Sequence, residues 1–179
     1  MRNTAKTLNL VYIAIGATLT AVCSWISIPT IVPFTLQTFA IFILLLLLGG
    51  KRGTLSIIVY ILLGMIGLPV FSGFASGPGV LLGTTGGYII GFIFMGLIYL
   101  AFEKLFADKM LYNITALFIG LIVCYAFGSL WFMYVYMHNT GEVAFTMVLT
   151  WCVIPFIIPD ITKMALAVFI SKRVKRIIK

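Results

Sequence analysis

Apolar residues in this chain form long unbroken runs, with no helical or strand alternation inside them. Six runs stand out, over residues 8–26, 37–49, 54–67, 85–105, 112–137 and 145–171, separated by Gly, Pro and charged residues. A membrane-crossing helix needs about 20 mostly apolar residues, and the every-second-residue alternation of a membrane barrel is absent. Backbone in lipid must satisfy its own hydrogen bonds, so the runs predict an all-α membrane protein built as a six-helix bundle. They predict one transmembrane domain over residues 1–179, with no room for a separate soluble domain. The first run starts as a secretory signal would, with basic residues ahead of an apolar stretch. It continues to Ile28 and further spans follow, so it is expected to stay uncleaved as the first helix.

Two connections break the usual rule that loops are polar. Residues 27–37 read "SIPTIVPFTLQ", and residues 68–87 read "LPVFSGFASGPGVLLGTTGG" without a single charge. The second and third runs are also short, since ~14 helical residues rise only ~21 Å against a hydrocarbon core of ~30 Å. Apolar, glycine-rich backbone of this kind is expected to fold back onto the protein, because non-helical chain at membrane depth must be buried or line a cavity.

Composition agrees with the pattern. Hydrophobic residues make up 63% of the chain and charged residues 9%, where soluble domains carry about a quarter charged. With the N-terminus in the cytoplasm, six spans return the C-terminus to the same side. The cytoplasmic segments then hold Arg2, Lys6, Lys51, Arg52, Lys104, Lys109, Lys172, Arg173, Lys175, Arg176 and Lys179, and the outer segments hold no basic residue. This is the positive-inside distribution. The net charge of +8 thus reflects topology and anionic headgroups of the lipid bilayer rather than nucleic acid. Trp25, Trp131 and Trp151 fall near the expected outer helix ends, where an aromatic belt belongs.

The remaining base is Lys163. Of the four acids, Glu103 and Asp108 are expected in the cytoplasm and Glu142 outside, which leaves Asp160. The two intramembrane charges therefore stand three residues apart on one helical face. Each costs about 3 kcal/mol to insert, so both are expected to face the bundle interior or a cavity. Pro155 and Pro159 precede them and free backbone carbonyls nearby. The pair reads either as a self-satisfied ion pair locking the last helix or as a polar site for a ligand or proton.

Other chemistry is absent. Cys23, Cys124 and Cys152 are scattered in apolar runs, and His138 has no companion ligand, so no metal site or cofactor is expected. "GGKRGT" lacks the phosphate-loop spacing, so the chain is expected to hydrolyse no nucleotide. No acid–base or nucleophile constellation suggests an enzyme. A pocket without an energy source implies a partner. Small residues four apart permit close helix approach: Ala17 and Ala21, extended by Ala14, on the first helix, and Gly83, Gly87 and Gly91 on the fourth. Taken alone, that spacing favours packing within the chain over contact with a partner.

Four stretches, "IPTIVPFTLQT", "GLPVFSGF", "GTTGGYIIGF" and "IPDITKM", come in the order of the BioY family, and the chain resembles that family along nearly its whole length. The third reads GTTGGY where the family commonly has GPTGGY. The family comprises biotin-specific S components of energy-coupling-factor (ECF) transporters. The resemblance implies the six-helix S-component fold, biotin bound near the outer face, and uptake with a transmembrane coupling subunit and two ATP-binding cassette ATPases. Delivery would occur by toppling of the whole subunit. The helix contact to the coupling subunit would fall on Ala17 and Ala21, beside Ala14. The family's acid and lysine fall on Asp160 and Lys163. Asp160 suits the ureido N–H groups of biotin, and Lys163 its ureido oxygen or its carboxylate. Thr35 and Gln37 are expected polar contacts, and Phe34, Phe71 and Tyr88 expected ring contacts. Gly73, Gly86 and Gly87 would let backbone N–H groups approach the ligand. The alternative function is a stand-alone proton or small-solute carrier that uses the Asp160–Lys163 pair.

Overall fold

A computed structural model describes residues 2–106 and 109–178; Asp108 and Lys179 lie outside the described residues. The elements run α1 (Arg2–Trp25), β1 (Ser27–Ile28), β2 (Phe34–Thr35), α2 (Gln37–Met65), a single 3₁₀ turn (Ser72–Phe74), α3 (Pro78–Leu82), α4 (Gly86–Leu105), α5 (Met110–Asn139), α6 (Phe145–Cys152) and α7 (Ile154–Ile178). Among the described residues, five stretches are long and apolar enough to cross a membrane, 4–25, 37–65, 86–105, 110–139 and 145–177, and the second of them folds at Gly49 into two helical arms.

α2 carries the expected helices 37–49 and 54–67 as two arms of one element, broken at Gly49, which leaves helical geometry with φ 80° and ψ 169°. That left-handed conformation favours glycine. It turns the chain so sharply that Gln37 Nε2 lies 2.6 Å from the Tyr60 hydroxyl. In a straight helix, 23 residues of separation would span about 35 Å. The residues Gly50 to Gly53, expected as a loop, are helical, because the carboxylate of Glu103 in α4 accepts the Gly50 N–H at 2.8 Å and so caps the second arm. Gly50 also lies against α4 so closely that a Cβ there would stand 2.5 Å from Leu100 Cα.

The first arm of α2 is the centre of the bundle. Ala40 to Leu46 are all buried, as expected for a helix that is apolar on every side. α1, α4 and α7 pack around it, and α5 packs on α4. Ala17 and Ala21 of α1 belong to this core, with Ile41, Phe42, Ile57 and Tyr60. The expected last helix, 145–171, is two elements. Pro155 would clash with the Trp151 carbonyl in a continuous helix, and Val153 breaks the path between α6 and α7. Pro155 then sits in the first turn of α7, where its missing N–H costs nothing.

Both apolar connections fold back onto the protein. β1 and β2 pair antiparallel, with Ser27 opposite Thr35 and Ile28 opposite Phe34. In the 66–85 connection the Trp25 indole donates to the Pro69 carbonyl at 2.8 Å and the Trp131 indole donates to the Gly83 carbonyl at 3.0 Å. This strap and the β-hairpin share one end of the bundle. The Gly49 turn, with Arg52 stacked over the Tyr12 ring at 5.2 Å, marks the other.

Gly50→Ala is expected to destabilise the protein by about 1–3 kcal/mol, because the clash is with backbone. Gly79→Ala, which meets nothing within 4 Å, is the control. Thermal unfolding in detergent checks this, and equal melting of Gly50→Ala and wild type would show that α4 does not press on the turn.

Candidate functional site

α7 carries Asp160 and Lys163 into the bundle beside the start of α2. Both are buried, 1% and 6% exposed. Lys163 Nζ lies 2.8 Å from Asp160 Oδ1. The ammonium also donates to the Thr35 carbonyl at 2.7 Å and to Thr38 Oγ1 at 3.1 Å. It stands 4.3 Å from the centre of the Phe34 ring, a further stabilising contact for a desolvated cation. Asp160 Oδ1 accepts a second bond from Thr38 Oγ1 at 2.8 Å, and Oδ2 accepts from the Tyr125 hydroxyl at 2.6 Å. Among the described residues, no buried side-chain nitrogen or oxygen lacks a partner.

The pair is therefore satisfied within the protein, and it also borders empty space. A cavity of about 210 Å³ is lined by Thr35, Gln37, Thr38, Tyr88, Tyr125, Asp160 and Lys163 on its polar side. Val32, Val80, Ile89, Phe92 and Phe156 make its apolar side. Donor counting shows what each partner has left. An ammonium has three N–H donors, and Lys163 commits them to Thr35, Thr38 and Asp160. A carboxylate has roughly four lone-pair sites; the two bonds at Oδ1 and the one at Oδ2 leave a site on Oδ2. The cavity thus offers a buried, negatively charged acceptor in an apolar chamber, with Lys163 as its fixed counter-charge. This suits a small, largely apolar molecule with an N–H donor.

The structure sorts the sequence-derived residues. Asp160, Lys163, Gln37, Thr35 and Tyr88 line the cavity. Phe34 is not among the lining residues; it packs behind two that are, under the Lys163 ammonium and stacked on Phe156 at 5.7 Å between ring centres. Phe71 is not among the lining residues: it is 1% exposed and packs edge-on against Tyr60. Gly73 is absent from the lining as well and serves the strap, with φ 67°. Gly86 and Gly87 also do not line the cavity. A Cβ at Gly86 would strike the Leu81 carbonyl oxygen, and one at Gly87 would stand 2.3 Å from Trp131 Cβ, so both are small for the sake of packing.

Ala17 and Ala21 are 2% and 6% exposed and pack inside this chain, while Ala14 is exposed. Small-residue spacing marks close approach without saying which neighbour approaches.

Thr38 and Tyr125 escaped the sequence analysis. Thr38 has a usable signal, one residue past Gln37 in the same motif. Tyr125 stands in an apolar run with nothing to distinguish it from other tyrosines. Cys124 and Cys152 also face the cavity.

Long apolar helices packed around a chamber that a buried ion pair borders define an integral membrane protein. The BioY family profile matches residues 1–179, and the chain belongs to the BioY family. It is 41% identical to the "Probable biotin transporter BioY" of Pyrococcus horikoshii, over 96% of this chain and 97% of that one. It is 36% identical to the "Biotin transporter BioY" of Thermotoga maritima, over 94% and 96%. Among solved structures it is similar to the 2.1 Å crystal structure of the S-component for biotin from an ECF-type ABC transporter. The TM-score is 0.83 and the identity 28%, over 98% of this chain and 95% of that one. The chain is a multi-pass membrane protein of the transport class and not an enzyme.

Removing one member of a buried ion pair leaves an uncompensated charge and costs about 3–5 kcal/mol, whereas replacing both members is often neutral. Asp160→Asn and Lys163→Met are each expected to lower the melting temperature of the ligand-free protein. The double variant is expected to recover most of the loss. Additive losses would show that the two charges do not depend on one another.

Proposed function

We propose that the chain is the biotin-binding S component of an ATP-driven ECF uptake transporter, with biotin held in the Asp160–Lys163 cavity. The observation that carries this reading is the open acceptor site on Asp160 Oδ2 inside a mostly apolar chamber of about 210 Å³. A ureido N–H fills that site, and the sulfur ring and hydrocarbon pack on Val32, Ile89, Phe92 and Phe156. Family membership and the named relatives support biotin over other vitamins.

The finer features of the reading follow the same family. The basic end of the bundle, with both termini, faces the cytoplasm, and the cavity end faces outward. The sequence lacks the phosphate-loop spacing, and in this reading a transmembrane coupling subunit and two ATPases supply the energy. The S component topples against the coupling subunit to present the cavity inward. Ala17 and Ala21 are buried, so bulky substitutions there test core packing rather than docking.

Purified protein is expected to bind biotin with one-to-one stoichiometry in a calorimetric titration. Lys163→Ala is expected to weaken that affinity at least 100-fold, about 2.7 kcal/mol, because Asp160 loses its counter-charge and Thr35 its tether. Tyr125→Phe, which keeps the ion pair, is expected to weaken it by about tenfold. Wild-type protein that takes up no biotin, or a Lys163→Ala variant that binds as wild type, would overturn the assignment.

A further inference from the structure

We infer that Gly128 of α5, which does not line the cavity, is a positioning residue that keeps the chamber open to the ligand by seating the Tyr88 ring against α5. The inference rests on the biotin-binding reading of the cavity and names what sets the size of ligand it admits.

Gly128 is buried within α5, and its backbone is ordinary α-helix. Glycine has no conformational duty in such a place and weakens a helix relative to alanine, so its use lies in the space it leaves. Tyr88 of α4 takes that space. A Cβ at position 128 would stand 2.6 Å from Tyr88 Cγ and closer still to two further ring carbons. The ring thus fills the volume that any side chain at 128 would need. The next residue of α5 supplies a second hold, because the Tyr88 hydroxyl and Ser129 Oγ are hydrogen-bonded at 3.1 Å.

Tyr88 is at the same time a wall of the cavity. Its packed surroundings are the buried cluster of Val32, Phe132, Val148, Cys152 and Phe156. Protein interiors packed in this way leave no gap for a displaced ring, whereas the cavity does.

The backbone that carries the ring has little freedom to retreat. Gly87, beside Tyr88 in α4, is pressed on Trp131 of α5. Gly91, a turn further on, is pressed on Cys124, where a Cβ would stand 3.2 Å from the Cys124 Cα. These contacts flank Tyr88 and fix the distance between α4 and α5. A side chain at 128 is therefore met by rotation of the Tyr88 ring about its own Cα–Cβ bond, off Ser129 and into the chamber.

The test sets two glycines of α5 against each other, read by biotin titration of the purified full chain and by its melting without ligand. Gly120→Ala meets Met95 in the same α4–α5 interface, and Met95 does not line the cavity. It is expected to lower the melting temperature and leave biotin affinity unchanged. Gly128→Ala is expected to melt no lower than Gly120→Ala, yet to weaken biotin binding by roughly tenfold or more. Tyr88→Leu loses a wall contact and some affinity of its own, and Gly128→Ala added to it is expected to bring no further loss. Ser129→Ala releases the hydroxyl without adding bulk, and so reads the same seat should Gly128→Ala fail to fold. It is expected to weaken binding by about threefold, and to change nothing in a Tyr88→Phe background. Wild-type affinity in a folded Gly128→Ala, or in Ser129→Ala where Gly128→Ala does not fold, would overturn the inference. So would a Gly128→Ala loss that persists in Tyr88→Leu, since the effect would not pass through the ring. An equal loss of affinity in Gly120→Ala would overturn it too, since that marks spreading of the two helices. Wild-type protein that binds no biotin would instead overturn the biotin assignment and this inference with it.

Discussion

The bond between Lys163 and Asp160 organises the cavity end of the bundle. Neither charge is tolerable at depth alone, so each collects partners, and those partners come from separate parts of the chain. Lys163 ties down the Thr35 carbonyl of the β-hairpin. Thr38 opens the first arm of α2, and Tyr125 comes from the middle of α5. Four segments that hydrophobic packing would merely cluster are thereby fixed to within a hydrogen bond of one another. The lysine's hydrogens are all committed to this task, and the free capacity remains on the acid.

That division lets one pair serve structure and, under the proposed function, recognition together. A self-satisfied ion pair and a ligand site looked like alternatives from sequence. The geometry makes them compatible, because a carboxylate accepts more bonds than its protein partners here supply. The lysine's part in the proposed site is thus indirect: it tethers Thr35 and compensates the acid.

Much of this was legible in the sequence for a simple reason: charge is so costly in lipid that Asp160 and Lys163 stood out against the other basic and acidic residues. Apolarity of the 27–37 and 68–87 connections likewise foretold that they fold inward. What was not legible depended on direction. Ala17 and Ala21 announce a close contact, but spacing on one helix does not reveal whether the neighbour is α2 or another protein. Gly86 and Gly87 are small because of Leu81 and Trp131, which a ligand-minded reading of "GTTGG" had no means to see. The break in α2 falls at Gly49, where the run was expected to end; only the start of the second arm was missed, because a carboxylate more than fifty residues away, on Glu103, lets it begin at Gly50. Tyr125 was missed because a tyrosine in an apolar run looks the same whether its hydroxyl meets an aspartate or nothing.

The two indoles that fasten the strap have a consequence of another kind. Trp25 and Trp131 hold its opposite ends through single N–H bonds to Pro69 and Gly83, and Ser72, Ala75 and Val80 between those points face the cavity. Indole emission responds to the loss of such a bond. The chain thus carries two built-in optical reporters at the fastenings of the segment lying over its chamber, and the third tryptophan, Trp151 on α6, stands apart from the strap as an internal reference.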